Sequence, residues 1–212
     1  QATLKQTARL TKPGIVVFSI ISGLLGYLMA APANELASVG HISLFLLGLL
    51  TLSAGSLALN QVQELDLDRR MKRTQLRPLV IGSLSRSYAL IFSIALLMIG
   101  LGLLGMTNTV TAVLGLLTVL MYNGIYTLLL KRRYAEAAVF GAVPGAMPVL
   151  IGYTALAPKI LTTESIYLFA VMFVWQLPHF WTLALRYMED YRAGGIPVLP
   201  VKYGTATTFH QI

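Results

Sequence analysis

Between Asn60 and Pro78 the chain reads NQVQELDLDRRMKRTQLRP, and the residues able to do chemistry are concentrated there. Three of the eight acidic residues, Glu64, Asp66 and Asp68, fall in this stretch and are followed by Arg69, Arg70, Lys72, Arg73 and Arg77, in a sequence that is only 11% charged. Asn60, Glu64 and Asp68 are spaced i, i+4, i+8, so a helix continued through them lines their oxygens along one face at steps of about 6 Å. Such a stripe of hard oxygen ligands suits magnesium, which takes one or two carboxylates and completes its shell with water and phosphate oxygens. Asp66 is off the stripe and could serve a second ion. Arg73 and Arg77 supply planar donors that grip phosphate oxygens. A magnesium diphosphate is the ligand this pattern fits. The plainer alternative is that these charges pair with one another in a solvated helix end. Against it, carboxylates at membrane depth are expensive and tend to be functional, and Asn60 is set inside the apolar run.

The elements that must position these residues are membrane helices. Of 212 residues 56% are hydrophobic, which predicts an all-α, polytopic membrane helix bundle rather than a soluble domain. Crossing the hydrocarbon takes about 20 apolar residues, and six stretches qualify, at about 14–31, 42–62, 88–106, 109–130, 137–157 and 165–187. Pro13 suits the first turn of the first span, and a loop with Pro32, Asn34 and Glu35 leads to the second. Only Thr107-Asn108 separates spans three and four, so these form an antiparallel hairpin. Gly141, Gly145 and Gly152 permit close packing of span five, and Pro144 and Pro148 are expected to kink it. His41 and His210 read as loop residues. The first apolar run carries no cleavage pattern and reads as a helix, not a signal peptide. With no cysteine, thiolate nucleophiles and Cys-based metal sites are excluded.

The net charge of +8 does not indicate nucleic acid, because the basic residues flank apolar spans, where they set topology and attract anionic lipid. Fifteen of the 16 lysines and arginines fall on one side, Lys159 being the exception. This places the N-terminus, the Asn60 stretch and the tail on the cytoplasmic or matrix face. An even number of crossings separates Asp68 from Glu189 and Asp190, so the two acidic segments emerge on the same face and can converge.

Further motifs follow in order: Thr11-Lys12-Pro13 before span one, Gly145-Ala146 with Pro148 and Gly152-Tyr153 in span five, Trp175-Gln176-Leu177-Pro178-His179 in span six, and Asp190-Tyr191 followed by Ile196-Pro197-Val198-Leu199-Pro200-Val201. With Asn60, Glu64, Asp66, Asp68, Met71, Arg73-Thr74 and Arg77-Pro78, the chain resembles the UbiA-superfamily intramembrane prenyltransferases, in the form carried by members that farnesylate heme. The resemblance covers essentially the whole chain. One departure is Met147, where the family often has a second proline before Pro148. That family's fold is a bundle of about nine helices. Residues 1–212 therefore read as a single transmembrane prenyltransferase domain with six of the expected nine helices, its C-terminal part missing.

The resemblance implies transfer of a farnesyl group from farnesyl diphosphate to a vinyl group of protoheme IX, giving heme O, with Mg2+ as cofactor. It implies that Asn60, Glu64 and Asp68 from the first motif and Asp190 from the second hold the metal and carry catalysis, with Asp66 and Glu189 as adjuncts. Arg73, Arg77 and Lys131 would neutralise the departing diphosphate, and Lys12 and Tyr126 would reach the same pocket. The implied partners are the two substrates, the lipid bilayer and enzymes of heme A synthesis. The implied location is a bacterial plasma membrane with both acidic motifs cytoplasmic, a mitochondrial inner membrane being the alternative.

His179, inside span six beside Pro178, could ligate heme iron; equally it could bond a carbonyl freed by the proline. Trp175 and Trp181 read as packing or interface anchors. Two other functions remain open to the sequence: a UbiA-type enzyme with an aromatic or quinone-precursor acceptor, and a membrane transporter or assembly factor whose charges only set topology.

Overall fold

The computed structural model describes residues 4–31 and 38–212; the loop residues Pro32, Asn34 and Glu35 lie outside the described residues. Among the described residues every regular element is helical. A short helix α1 (Leu4–Leu10) precedes α2 (Pro13–Ala30) and α3 (Val39–Gln63). One further turn, α4 (Leu65–Asp68), leads into the polar connection before α5 (Arg86–Thr107). After α6 (Thr109–Val119) come α7 (Ala137–Leu156) and α8 (Thr163–Arg186), then the short α9 (Met188–Gly194), α10 (Leu199–Tyr203) and α11 (Thr205–Phe209). Among the described residues six helical stretches are long and apolar enough to cross a membrane, α6 counting together with its continuation to Leu130.

Local sequence sets where these helices begin. Ser38, Ser85, Asn108 and Thr162 each accept a backbone N–H three residues on, satisfying donors that a helix N-terminus leaves orphaned. Asn108 has a second task. Its amide donates to the carbonyls of Thr154 and Ala155 at 2.8 and 3.3 Å, tying the α5–α6 hairpin to the end of α7.

The bundle is held by close backbone approach, since lipid offers no hydrophobic drive between helices. A Cβ on Gly152 of α7 would lie 1.8 Å from the carbonyl oxygen of Gly23, and one on Gly100 of α5 would lie 2.6 Å from the backbone nitrogen of Leu52. Thus α2 lies directly on α7, and α3 on α5. The core between them is built from Tyr27, Phe45, Leu49, Leu52, Leu104 and Ile151. Ile21, Ile91, Met98, Val171 and Val174 face outward, the apolar exterior that a lipid-facing surface requires. Pro144 and Pro148 lie within α7, which continues unbroken past both.

Span four changes form along its length: from Leu120 to Leu130 it is a π-helix, seen at the exit where the Lys131 N–H bonds the Tyr126 carbonyl five residues back at 2.9 Å. One expectation needs correcting. His41 is not a loop residue. It sits in the first turn of α3, where Nδ1 is 2.8 Å from the hydroxyl of the buried Tyr27, so the imidazole ties α2 to α3 at the end of the bundle opposite Asn60.

Candidate prenyl diphosphate site

The stripe is present, on a backbone that departs from a continuous helix. α3 ends at Gln63, and Glu64 (φ −102°, ψ 14°) joins it to α4. The i→i+4 bonds nevertheless run through the joint, Glu64 N–H to Asn60 O at 3.0 Å and Asp68 N–H to Glu64 O at 2.9 Å. Asn60, Glu64 and Asp68 therefore keep one face, and all three are at least 97% buried, at 1%, 3% and 1% exposure. Asp66 is on the exposed side, where both its oxygens accept from Arg132 at 2.9 Å.

Against this stripe stands a second one from the π-helix. The Ser56 hydroxyl donates to Asn123 Oδ1 at 2.6 Å, the Asn60 amide donates to Thr127 Oγ1 at 3.2 Å, and Lys131 Nζ donates to Glu64 Oε1 at 2.5 Å. Both members of each pair advance by four residues from one pair to the next, so these are three rungs of one polar ladder between parallel segments. Gln63 and Asn123 reinforce it with a reciprocal pair of bonds at 3.1 Å. Asn123 and Thr127 are site residues that the acidic and basic motifs do not point to; their signal in the sequence is that, with Lys131 just past span four, they repeat the four-residue spacing of Asn60, Glu64 and Asp68.

Cations close over the carboxylates. Arg77 pairs with Asp68, and Lys12 donates to Asn60 Oδ1 at 2.7 Å. Lys12 itself is in the left-handed region (φ 51°, ψ 67°), pinned between the end of α1 and Pro13, a conformation that costs a non-glycine residue about 1 kcal/mol or more. Burial, and then repulsion from Arg77, lower its ammonium to about 7. Burial alone would raise the Glu64 carboxyl, but Lys131 and Lys12 beside it hold it below its ordinary value. Burial would likewise lower Lys131, and Glu64 reverses that, leaving its pKa above the usual lysine value.

The second acidic segment docks on the first. Asp190 Oδ1 accepts the Lys72 backbone N–H at 2.7 Å. The Arg73 guanidinium lies over the rings of Tyr187 and Tyr191, at 4.6 and 5.5 Å. Leu67, Met71 and Ile196 seal the contact beneath. The two segments thus meet, but their carboxylates do not form a ring: among the described residues no group of three or more His, Cys, Asp or Glu side chains is gathered as for a metal. Glu189 is exposed and bonded to Arg192.

The residues fit a divalent cation in one specific respect. Asp68 Oδ1 is buried with no hydrogen-bond partner, an arrangement that costs free energy unless something occupies it. With Asn60 Oδ1 and the Glu64 carboxylate on the same face, the donor set is all hard oxygen, as Mg2+ requires.

Beside the stripe is a cavity of about 420 Å3 between α2, α3, α6, α7 and α8. Its wall includes Ser56, one turn from Asn60, and otherwise it is largely apolar. His179 lines it, its ring stacked on Trp175 at 5.2 Å and 10°, and Trp175 is in turn stacked on Phe18 at 5.4 Å. Trp181, by contrast, is buried with Ala135 and Leu199. Tyr126 and Lys131 line a second, smaller cavity together with Tyr191.

Residues 15–212 match the UbiA prenyltransferase family. The chain belongs to that family. It is thus an integral membrane prenyltransferase, and the fold agrees: a UbiA homolog from Archaeoglobus fulgidus bound to GPP and Mg2+ superposes with a TM-score of 0.77 over 97% of this chain and 71% of that one, at 20% identity. Among sequence relatives, the protoheme IX farnesyltransferase of Bdellovibrio bacteriovorus is 49% identical over 212 residues, covering 99% of this chain and 72% of the relative. That of Bacillus pumilus is 41% identical, covering 98% and 69%.

Proposed function

We propose that this protein transfers the farnesyl group of farnesyl diphosphate to a vinyl group of protoheme IX, making heme O. The observation that carries the reading is identity of 49% across 99% of the chain to a protoheme IX farnesyltransferase. Two features support it physically: a polar, cation-lined stripe, and, one helical turn away at Ser56, an apolar cavity large enough for a prenyl chain. In this reading Asn60, Glu64 and Asp68, with Asp190, would hold Mg2+, and Asp66 remains outside the set because it lies on the exposed side with both of its oxygens accepting from Arg132. The ion would supply charge neutralisation on the diphosphate oxygens.

This chain's own residues then act as follows. Arg73, Arg77, Lys131 and Lys12 surround the diphosphate and stabilise the negative charge that builds as the bond from farnesyl C1 to the diphosphate oxygen breaks. The apolar walls hold the tail and keep water from the allylic cation. The vinyl group contributes its electron pair to a new carbon–carbon bond, water adds at the inner vinyl carbon, and one proton is released with the diphosphate. Tyr126 stands within reach of the diphosphate beside Lys131. The stacked His179 and Trp175 offer a flat wall and an imidazole to the porphyrin. The stripe faces the cytoplasm of a bacterial plasma membrane, as the one-sided distribution of lysine and arginine favours.

The test is product mass. Intact protein given farnesyl diphosphate, Mg2+ and an equal mixture of protoheme and 4-hydroxybenzoate should yield heme carrying farnesyl plus one water, and Asp68→Asn should yield none. Prenylated hydroxybenzoate as the main product would instead establish the aromatic-acceptor reading, and full activity in Asp68→Asn would remove the stripe from the chemistry.

A further inference from the structure

We infer that Thr127 is a positioning residue for Asn60: it fixes which end of the Asn60 amide faces the diphosphate. The inference rests on the reading of Asn60 as a metal-holding residue. An asparagine amide has one end that can hold a cation and one that repels it, and rotation by half a turn exchanges them. In the structure Nδ2 donates to Thr127 Oγ1 at 3.2 Å, which leaves Oδ1 turned toward Lys12 Nζ at 2.7 Å. Lys12 cannot be the anchor during binding, because an incoming cation competes with it for the same oxygen. Thr127 holds the opposite end and faces no such competition.

Three observations make Thr127 more than a neighbour. Its side chain is 0% exposed, and Asn60 is 1% exposed, so water does not substitute for either partner. Thr51, Thr118, Thr154 and Thr182 each donate to the carbonyl four residues back in their own helix. Thr127 lies in the π-helical stretch, and its oxygen instead receives a donor from another helix. Finally, the rungs on either side, Ser56 to Asn123 and Glu64 to Lys131, clamp the two segments so that the central one cannot slide. All three rungs meet α3 from the π-helical stretch or its exit, a form unusual at this length.

The experiment is calorimetric titration of inorganic pyrophosphate into the intact protein in lipid nanodiscs at a series of Mg2+ concentrations. Thr127→Val, which keeps the shape and removes the oxygen, should raise the Mg2+ concentration for half-maximal binding about tenfold, the low end of what an orienting partner of a metal ligand contributes. Thr127→Ser should restore the wild-type value. In an Asn60→Ala background Thr127→Val should add nothing, because its effect passes only through the amide. Wild-type Mg2+ dependence in Thr127→Val, or an equal loss with and without Asn60, would overturn the inference. Should Thr127→Val melt before binding can be read, Thr127→Ala takes its place with the same expected loss, and wild-type dependence there overturns it equally. Absence of any Mg2+ dependence in the wild type would overturn the metal site and this inference together.

Discussion

Lys131 and Arg132 are adjacent, both basic, and each pairs with a carboxylate of the same acidic run, yet their removal should have very different consequences. Glu64 and Lys131 have side chains 4% and 19% exposed, whereas Asp66 and Arg132 are 52% and 33% exposed. Breaking a buried pair leaves an uncompensated charge and costs about 3–5 kcal/mol. The partial exposure of Lys131 and the nearby Lys12 reduce that, so Lys131→Met should cost roughly 2–3 kcal/mol. Arg132→Met breaks a solvated pair and should cost no more than about 1 kcal/mol. The pH dependence separates the two causes by sign. In the wild type Glu64 is held below its ordinary pKa, so its contribution is fully present above the ordinary carboxylate range and is lost only as pH falls through the lowered value. Without Lys131, burial is opposed only by the weaker attractions and the Glu64 pKa rises. Lys131→Met should then gain stability on acidification from neutral pH toward 5, where the wild type does not. Unfolding midpoints in mixed micelles at stepped pH read this directly. Equal losses for the two variants, or no acid stabilisation of Lys131→Met, would refute the reasoning.

Two more predictions follow from packing. Gly152→Ala places a methyl group 1.8 Å from the Gly23 carbonyl oxygen, backbone that cannot step aside, while a Cβ on Gly102 meets nothing within 4 Å. The first should destabilise by about 3 kcal/mol or more and the second should be neutral, as thermal melting in detergent will read. Arg73→Ala removes the guanidinium that lies over Tyr187 and Tyr191, worth about 0.5–1 kcal/mol at an exposed site. It should loosen the second acidic segment, seen as faster amide exchange over α9, with little change in the melting point.

How much of this was legible from sequence depended on whether the cause was local. Span lengths are written in neighbouring residues, and the stripe of Asn60, Glu64 and Asp68 follows from a four-residue period. The Thr107-Asn108 turn follows from the shortness of the connection. The π-helix was not legible, because it arises where Asn123, Thr127 and Lys131 are bonded to α3, contacts 67 residues distant. Nor was the role of His41, which is set by Tyr27 on another helix. The convergence of the two acidic segments was legible as a shared membrane face. Its form was not: Asp190 meets the Lys72 backbone rather than the other carboxylates, a contact that depends on how the connection after α4 folds.

The central claim is that a buried oxygen stripe holds the diphosphate through a divalent cation while the tail occupies the adjoining cavity. The most direct measurement is equilibrium binding of farnesyl thiodiphosphate, which resists ionisation, to the intact protein with Mg2+ and again after EDTA, in wild type and in Glu64→Gln/Asp68→Asn. Tight binding that requires Mg2+ in the wild type and is lost in the double variant is the predicted result. Binding that survives EDTA, or that the double variant retains, would contradict the account.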